Sequence, residues 1–122
     1  MKLALSLLVA VAGTAFAQSP LQTEFPPGAT QLEAEALQKL LTGKTFLISQ
    51  AVGSDMRIQY KESFVFINIG QRSDSGERRA EGSTVCIDWR TLPKGCSEVR
   101  IKDDTIYLKR TSNNEVMVMK PQ

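Results

Sequence analysis

Histidine is absent from this chain, which removes every mechanism that needs an imidazole as general base, triad member or metal ligand. Cysteine is scarce. Two residues cannot assemble a tetrahedral Cys/His zinc site; oxygen-ligand calcium sites stay open, but no D-x-D-x-D-G spacing appears, and neither a metal nor another cofactor is expected. A dominant charge sign is missing too: 15 Lys and Arg stand against 13 Asp and Glu, a formal net charge of +2. Nucleic-acid binders and anionic-membrane binders concentrate positive charge to displace counterions, so no nucleic-acid partner is expected. Aromatic residues make up only 7%. What remains, 122 residues at 42% hydrophobic and 23% charged, is the balance of one ordinary folded domain.

The front of the chain reads as an address. Lys2 precedes an apolar run from Leu3 to Ala12, and small residues end in Ala15-Phe16-Ala17. That order of charge, apolar stretch and A-x-A predicts a secretory signal peptide over residues 1–17, cleaved after Ala17. The run is broken by Gly13 and Thr14 and falls short of the roughly 20 apolar residues of a spanning helix, so no stable membrane insertion is expected after cleavage. Export places Cys86 and Cys96 in an oxidising compartment, where two lone cysteines at this spacing predict a structural disulfide.

Residues 18–29 contain Pro20, Pro26, Pro27 and Gly28, which predicts an extended arm rather than regular structure. A single domain is expected over 30–122. Thr30 with Glu33 three positions on has the form of a capping box, predicting a helix start there. Leu32, Ala36, Leu37, Leu40 and Leu41 recur at helical spacing, and Gly43 stands where a left-handed C-cap is wanted. Everything beyond Gly43 reads as short strands at 44–50, 56–61, 63–69, 83–89, 97–102, 105–110 and 115–120. The expected fold is mainly β (α+β): one N-terminal helix packed on an antiparallel meander, either an open sheet or a small barrel.

Parity carries this reading further, because a one-residue slip turns a strand inside out. Met56, Ile58 and Tyr60 alternate with polar neighbours. Phe64 to Ile69 is apolar at nearly every position, predicting a strand covered on both sides. Val85, Ile87 and Trp89 share a parity with Val99 and Ile101, which puts Cys86 opposite or diagonal to Cys96 on the other face. A two-residue turn at Asp103-Asp104 sets Ile101 against Ile106 and Val99 against Leu108.

Candidate contact residues lie in two places. The segment from Gly70 to Gly82 has no apolar residue but Ala80 and reads as a long polar loop, either solvated with Asp74, Glu77 and Glu81 neutralising its arginines locally or a contact element in which Arg72, Arg78 and Arg79 are the candidates to touch a partner. Tyr107, Met117 and Met119 are expected together on the disulfide face as an apolar patch. No catalytic residue is assigned. Gly43-Lys44-Thr45 closes a helix instead of opening one and lacks the earlier Gly of a phosphate loop. Asp88 and Glu98 have Arg90 and Arg100 as nearby ion-pair partners, while Asp103 and Asp104 sit at a turn.

The layout as a whole (Pro26-Pro27-Gly28-Ala29, a helix ending in Leu40-Leu41-Thr42-Gly43-Lys44-Thr45, then Cys86-Ile87-Asp88-Trp89 and Gly95-Cys96) resembles a bacterial family of small exported domains of unknown function. Over residues 26–110 that pattern joins a short helix ending in G-K-T to a meander with C-x-x-W and a second Cys. Val85 stands where the family starts its strand with Trp. The resemblance implies a bacterial envelope setting and a structural role for Cys86 and Cys96, with no activity attached.

Three functions are therefore expected, in descending order. The first is a non-catalytic periplasmic or secreted binding module for an envelope protein or a small ligand. The second is a protein inhibitor of an envelope hydrolase such as lysozyme, and the third a carboxylate-based hydrolase. A hollow apolar interior of about 300 Å³ or more favours a small ligand, whereas a filled interior with a protruding loop favours a protein partner.

Overall fold

Alternating apolar and polar side chains drive the chain beyond Gly43 into strands, since only an extended backbone sends successive residues to opposite faces. The computed structural model describes residues 21–122. The signal peptide predicted over 1–17 and the first positions of the predicted arm, 18–20, lie outside the described residues.

Eight strands follow one another: β2 (Thr45–Ile48), β3 (Met56–Tyr60), β4 (Phe64–Ile69), β5 (Arg72–Glu81), β6 (Thr84–Trp89), β7 (Gly95–Lys102), β8 (Thr105–Arg110) and β9 (Val116–Pro121). Each pairs antiparallel with the next, and β9 returns to β2 through Phe46↔Pro121 and Ile48↔Met119. The sheet is a closed barrel. Closure satisfies the backbone donors and acceptors that an open edge would leave exposed. A short outer strand, β1 (Thr30–Gln31), adds to β7 at Ile101 and Arg100.

The helix α1 (Ala34–Leu41) starts later than the capping box predicts. Thr30 pairs with β7 and its hydroxyl donates to the Ile101 carbonyl (3.3 Å), so the sheet takes the residue that local sequence assigns to the cap. The far end agrees with expectation. Gly43 takes a φ of +78° and donates its N–H to the Tyr60 carbonyl (2.9 Å), stitching the helix end to β3. Leu37 and Leu41 are wholly buried and close that end of the barrel, where the Phe46 and Tyr60 rings meet edge to face at 5.8 Å.

The register expected for the C-terminal half is observed. Cys86 faces Cys96, bonded at 2.05 Å. Ile101 faces Ile106 and Val99 faces Leu108, with Asp103 at φ +53° supplying the left-handed residue of the turn.

Three expectations are corrected. The predicted loop over Gly70 to Gly82 is a hairpin turn followed by the ten-residue β5, hydrogen-bonded to β4 on one side and β6 on the other. Its inward positions are Asp74, Gly76, Arg78 and Ala80, so it carries no apolar alternation, and its neighbours recruit it through backbone pairing. β4 is covered on one side only: Val65 and Ile67 are buried, while Phe64 and Phe66 are 49% and 46% exposed. Met117 and Met119 face inward opposite Leu108 and Ile106 and are buried, whereas Tyr107 faces outward opposite Val118.

Residues 21–29 run without helix or strand and are docked on the barrel. Gln22 accepts the Val116 N–H (2.7 Å), and Phe25 stacks beneath the Arg100 guanidinium (4.4 Å) before β1 leads into α1.

Candidate functional site

The barrel interior is divided unevenly along its axis. At the helix end, Leu37, Leu41, Phe46 and Tyr60 fill the space. At the other end a cavity of ≈ 520 Å³ opens, walled by inward residues of six strands, among them Ile58, Ile67, Ile87, Trp89 and Leu108. Apolar side chains dominate that wall. Its rim is formed by the β6–β7 and β8–β9 connections, where Lys94 and Ser112 stand exposed to solvent.

One wall residue breaks the apolar pattern. Arg110 continues the inward parity of Ile106 and Leu108 to the end of β8 and so projects its guanidinium into the rim of the cavity. Its Nη2 donates to Gln50 Oε1 (2.9 Å) and lies 3.8 Å from the sulfur atoms of both Met56 and Met117. Glu115, buried nearby, turns its carboxylate elsewhere: it accepts the Ala51 N–H (2.9 Å) and lies 3.5 Å from the Asn113 amide. No carboxylate among the described residues pairs with Arg110.

The rim is held by Asp74. Desolvation raises its pKa, but the N–H groups of Leu92, Thr91 and Ser75 together outweigh that cost and hold the carboxyl at about 2. Those bonds, at 2.9–3.1 Å, anchor the segment carrying Leu92 and Pro93 over the opening.

The arginines singled out from the sequence do not converge. Arg72 is exposed at the start of β5, and Arg79 faces outward beside Asp88 (3.6 Å). Arg78 points inward and is only 8% exposed. Its Nε donates to the Lys61 carbonyl (2.8 Å), its Nη2 donates to Thr42 Oγ1, and the guanidinium lies over the Tyr60 ring at 5.6 Å. Burial lowers the Arg78 pKa and raises that of the Tyr60 phenol. Arg78 is thus a tie between helix and barrel floor, inaccessible to a partner. Met117 and Met119 are equally inaccessible, and Tyr107 alone of that trio reaches the outer face.

Glu98 pairs with Arg100 (3.1 Å) as the sequence suggests, but Asp88 takes Arg79 and Lys94 rather than Arg90. Among the described residues no three His, Cys, Asp or Glu side chains converge as a metal site. Sequence reading missed Arg110 and Gln50. The available signal was a cation on the inward parity of a strand end, two residues after Leu108.

Compared with protein-family models, curated proteins and solved structures, the chain matches none.

Proposed function

We propose that this protein is an exported container for a small, largely apolar molecule, a binding module that performs no chemistry of its own. The observation that carries this reading is the ≈ 520 Å³ apolar cavity, within the range of about 300–1,000 Å³ in which proteins hold small ligands. The features that would favour a protein partner are a filled interior and a protruding polar loop. The first is replaced by a cavity, and the second by strand β5.

Export is supported by the 1–17 leader pattern and by the Cys86–Cys96 bond. No helix among the described residues is long and apolar enough to cross a membrane. The barrel turns Arg57, Gln59, Ser75, Glu77 and Arg79 outward, with Phe64 and Phe66 among them, and lines its interior with apolar side chains, a mainly polar outer face unlike that of a barrel built to face lipid. These features together support a periplasmic or secreted setting.

Trp89 is the single tryptophan and lines the cavity, so its emission reports occupancy. Titration with the neutral probe N-phenyl-1-naphthylamine is expected to quench Trp89 saturably at one site per chain, and Ile69→Phe, which narrows the cavity, is expected to weaken that binding. Absence of saturable binding to the folded wild type would refute the container reading.

A further inference from the structure

We infer that the molecule held in this cavity is an acidic amphiphile, an apolar chain ending in a carboxylate, and that Arg110 is the residue that receives its head group. The inference rests on the container reading and adds the chemistry of the ligand.

A guanidinium has five N–H donors in a fixed fork and is positively charged at every accessible pH. At Arg110 the protein supplies one neutral oxygen acceptor, from Gln50, and two weakly accepting thioethers. A surface arginine satisfies its remaining donors with water and bends away from apolar groups. Arg110 instead lies along the inner wall between Met56 and Met117, at the boundary between the apolar cavity and the solvent.

The charge pattern around it points the same way. Among the described residues no Asp or Glu lines the cavity; Lys94 at its rim is paired with Asp88 on the outer face (4.0 Å), and the Asp74 carboxylate is taken up by the Thr91 and Leu92 N–H groups. Glu115 is the acid that could have neutralised Arg110 from the next connection. Its carboxylate is engaged by Ala51 and Asn113, and it meets Arg110 only through the backbone, where its carbonyl accepts the Arg110 N–H (2.9 Å). The Arg110 guanidinium therefore stands at the mouth with no carboxylate in ion-pair range among the described residues, and an apolar enclosure strengthens its pull on an anion by lowering the effective dielectric.

Geometry fixes the orientation. Leu37 and Leu41 of the helix close the far end of the barrel together with Tyr60 of β3, so a tail enters from the rim and runs over Ile58, Ile67 and Ile87 toward Tyr60. The carboxylate remains at the mouth, where Arg110 offers a two-pronged bond and Gln50 holds the fork from behind.

The test compares three probes of equal chain length, decanoate, 1-decanol and decyltrimethylammonium, titrated into the purified oxidised protein with Trp89 emission and calorimetry as readouts. Decanoate is expected to bind one to one and about tenfold or more tighter than 1-decanol, the increment of a charge-assisted pair, with the cation weakest. Arg110→Met is expected to bring decanoate down to the affinity of 1-decanol while leaving 1-decanol unchanged. Arg110→Lys is expected to restore part of the preference.

Equal or tighter binding of 1-decanol by the wild type overturns the acidic-ligand assignment and leaves the container reading standing. Binding of none of the three, together with no binding of the neutral naphthylamine probe, removes both. An unchanged preference for decanoate in a folded Arg110→Met variant overturns the role of Arg110.

Discussion

Replacing Arg78 by Met separates a structural tie from a docking residue. Methionine keeps much of the apolar stem and deletes the guanidinium, so the Lys61 carbonyl and Thr42 Oγ1 lose their donor and Tyr60 loses the cation 5.6 Å from its ring. Thr42 itself donates to the Gln38 carbonyl (2.6 Å), so the loss reaches the last turn of α1. Hydrogen bonds from a charged donor contribute about 1.5–3 kcal/mol each, and a desolvated cation–π contact up to about 2 kcal/mol. Opposing them is the cost of burying a guanidinium with no carboxylate beside it, several kcal/mol, which methionine does not incur. The net destabilisation expected is about 2–3 kcal/mol. At about 4–8 °C per kcal/mol for a domain near this size, Tm falls by about 8 °C or more.

Urea unfolding of the oxidised protein measures the same quantity as a lower midpoint at unchanged slope. In a double-mutant cycle, Thr42→Val is expected to couple to Arg78→Met by about 0.5–3 kcal/mol. A change under about 0.5 kcal/mol, the ordinary range for surface substitutions, would refute the tie and return Arg78 to the class of accessible contact residues.

Gly76 faces Trp89 across the β5–β6 ladder, and a Cβ there stands 2.5 Å from the Asp88 carbonyl oxygen. Gly76→Ala is expected to cost about 1–3 kcal/mol in urea unfolding, and an unchanged midpoint would show that the strands separate freely at that point. Reduction of Cys86–Cys96, whose partners are 10 positions apart, is expected to lower stability by about 2–3 kcal/mol, read as the shift in urea midpoint between oxidised protein and protein in dithiothreitol. Asp74 is held at about 2 in the folded state against about 3.9 unfolded. Its contribution is therefore complete above pH 4 and lost as pH falls through 2, and the Tm gap between wild type and Asp74→Asn should narrow across that window. A gap independent of pH from 5 to 2 would contradict the charge-based anchoring of the 91–92 segment.

Legibility followed the size of the local signal. The hairpin from Val99 to Leu108 was readable because four apolar residues and one turn over-determine its register, and the Cys86↔Cys96 pairing follows from the same parity. β5 was hidden. Asp74, Gly76, Arg78 and Ala80 give its inward face no hydrophobic period, so only its neighbours' unpaired backbone groups, a non-local demand, make it a strand. Thr30 was misread for a related reason: a capping box and a sheet-edge pairing compete for the same hydroxyl, and the 71-residue reach to Ile101 leaves no trace in nearby sequence. Phe64 and Phe66 show the converse, since alternation with Val65 and Ile67 says that one parity faces inward but apolar neighbours on both parities conceal which.

The amino-acid sequence alone determined the mainly β class, the position of the helix end at Gly43, the disulfide partners and the chemistries that are missing, because each depends on residue type or on spacing within a few positions. Tertiary structure decided that the meander closes, that Arg78 lies inside and Arg79 outside, and that Arg110 meets the cavity without a carboxylate partner. Those outcomes depend on β9 finding β2 and on groups far apart in the chain sharing one enclosed volume. Local preferences cannot encode what a space will contain until the wall around it has closed.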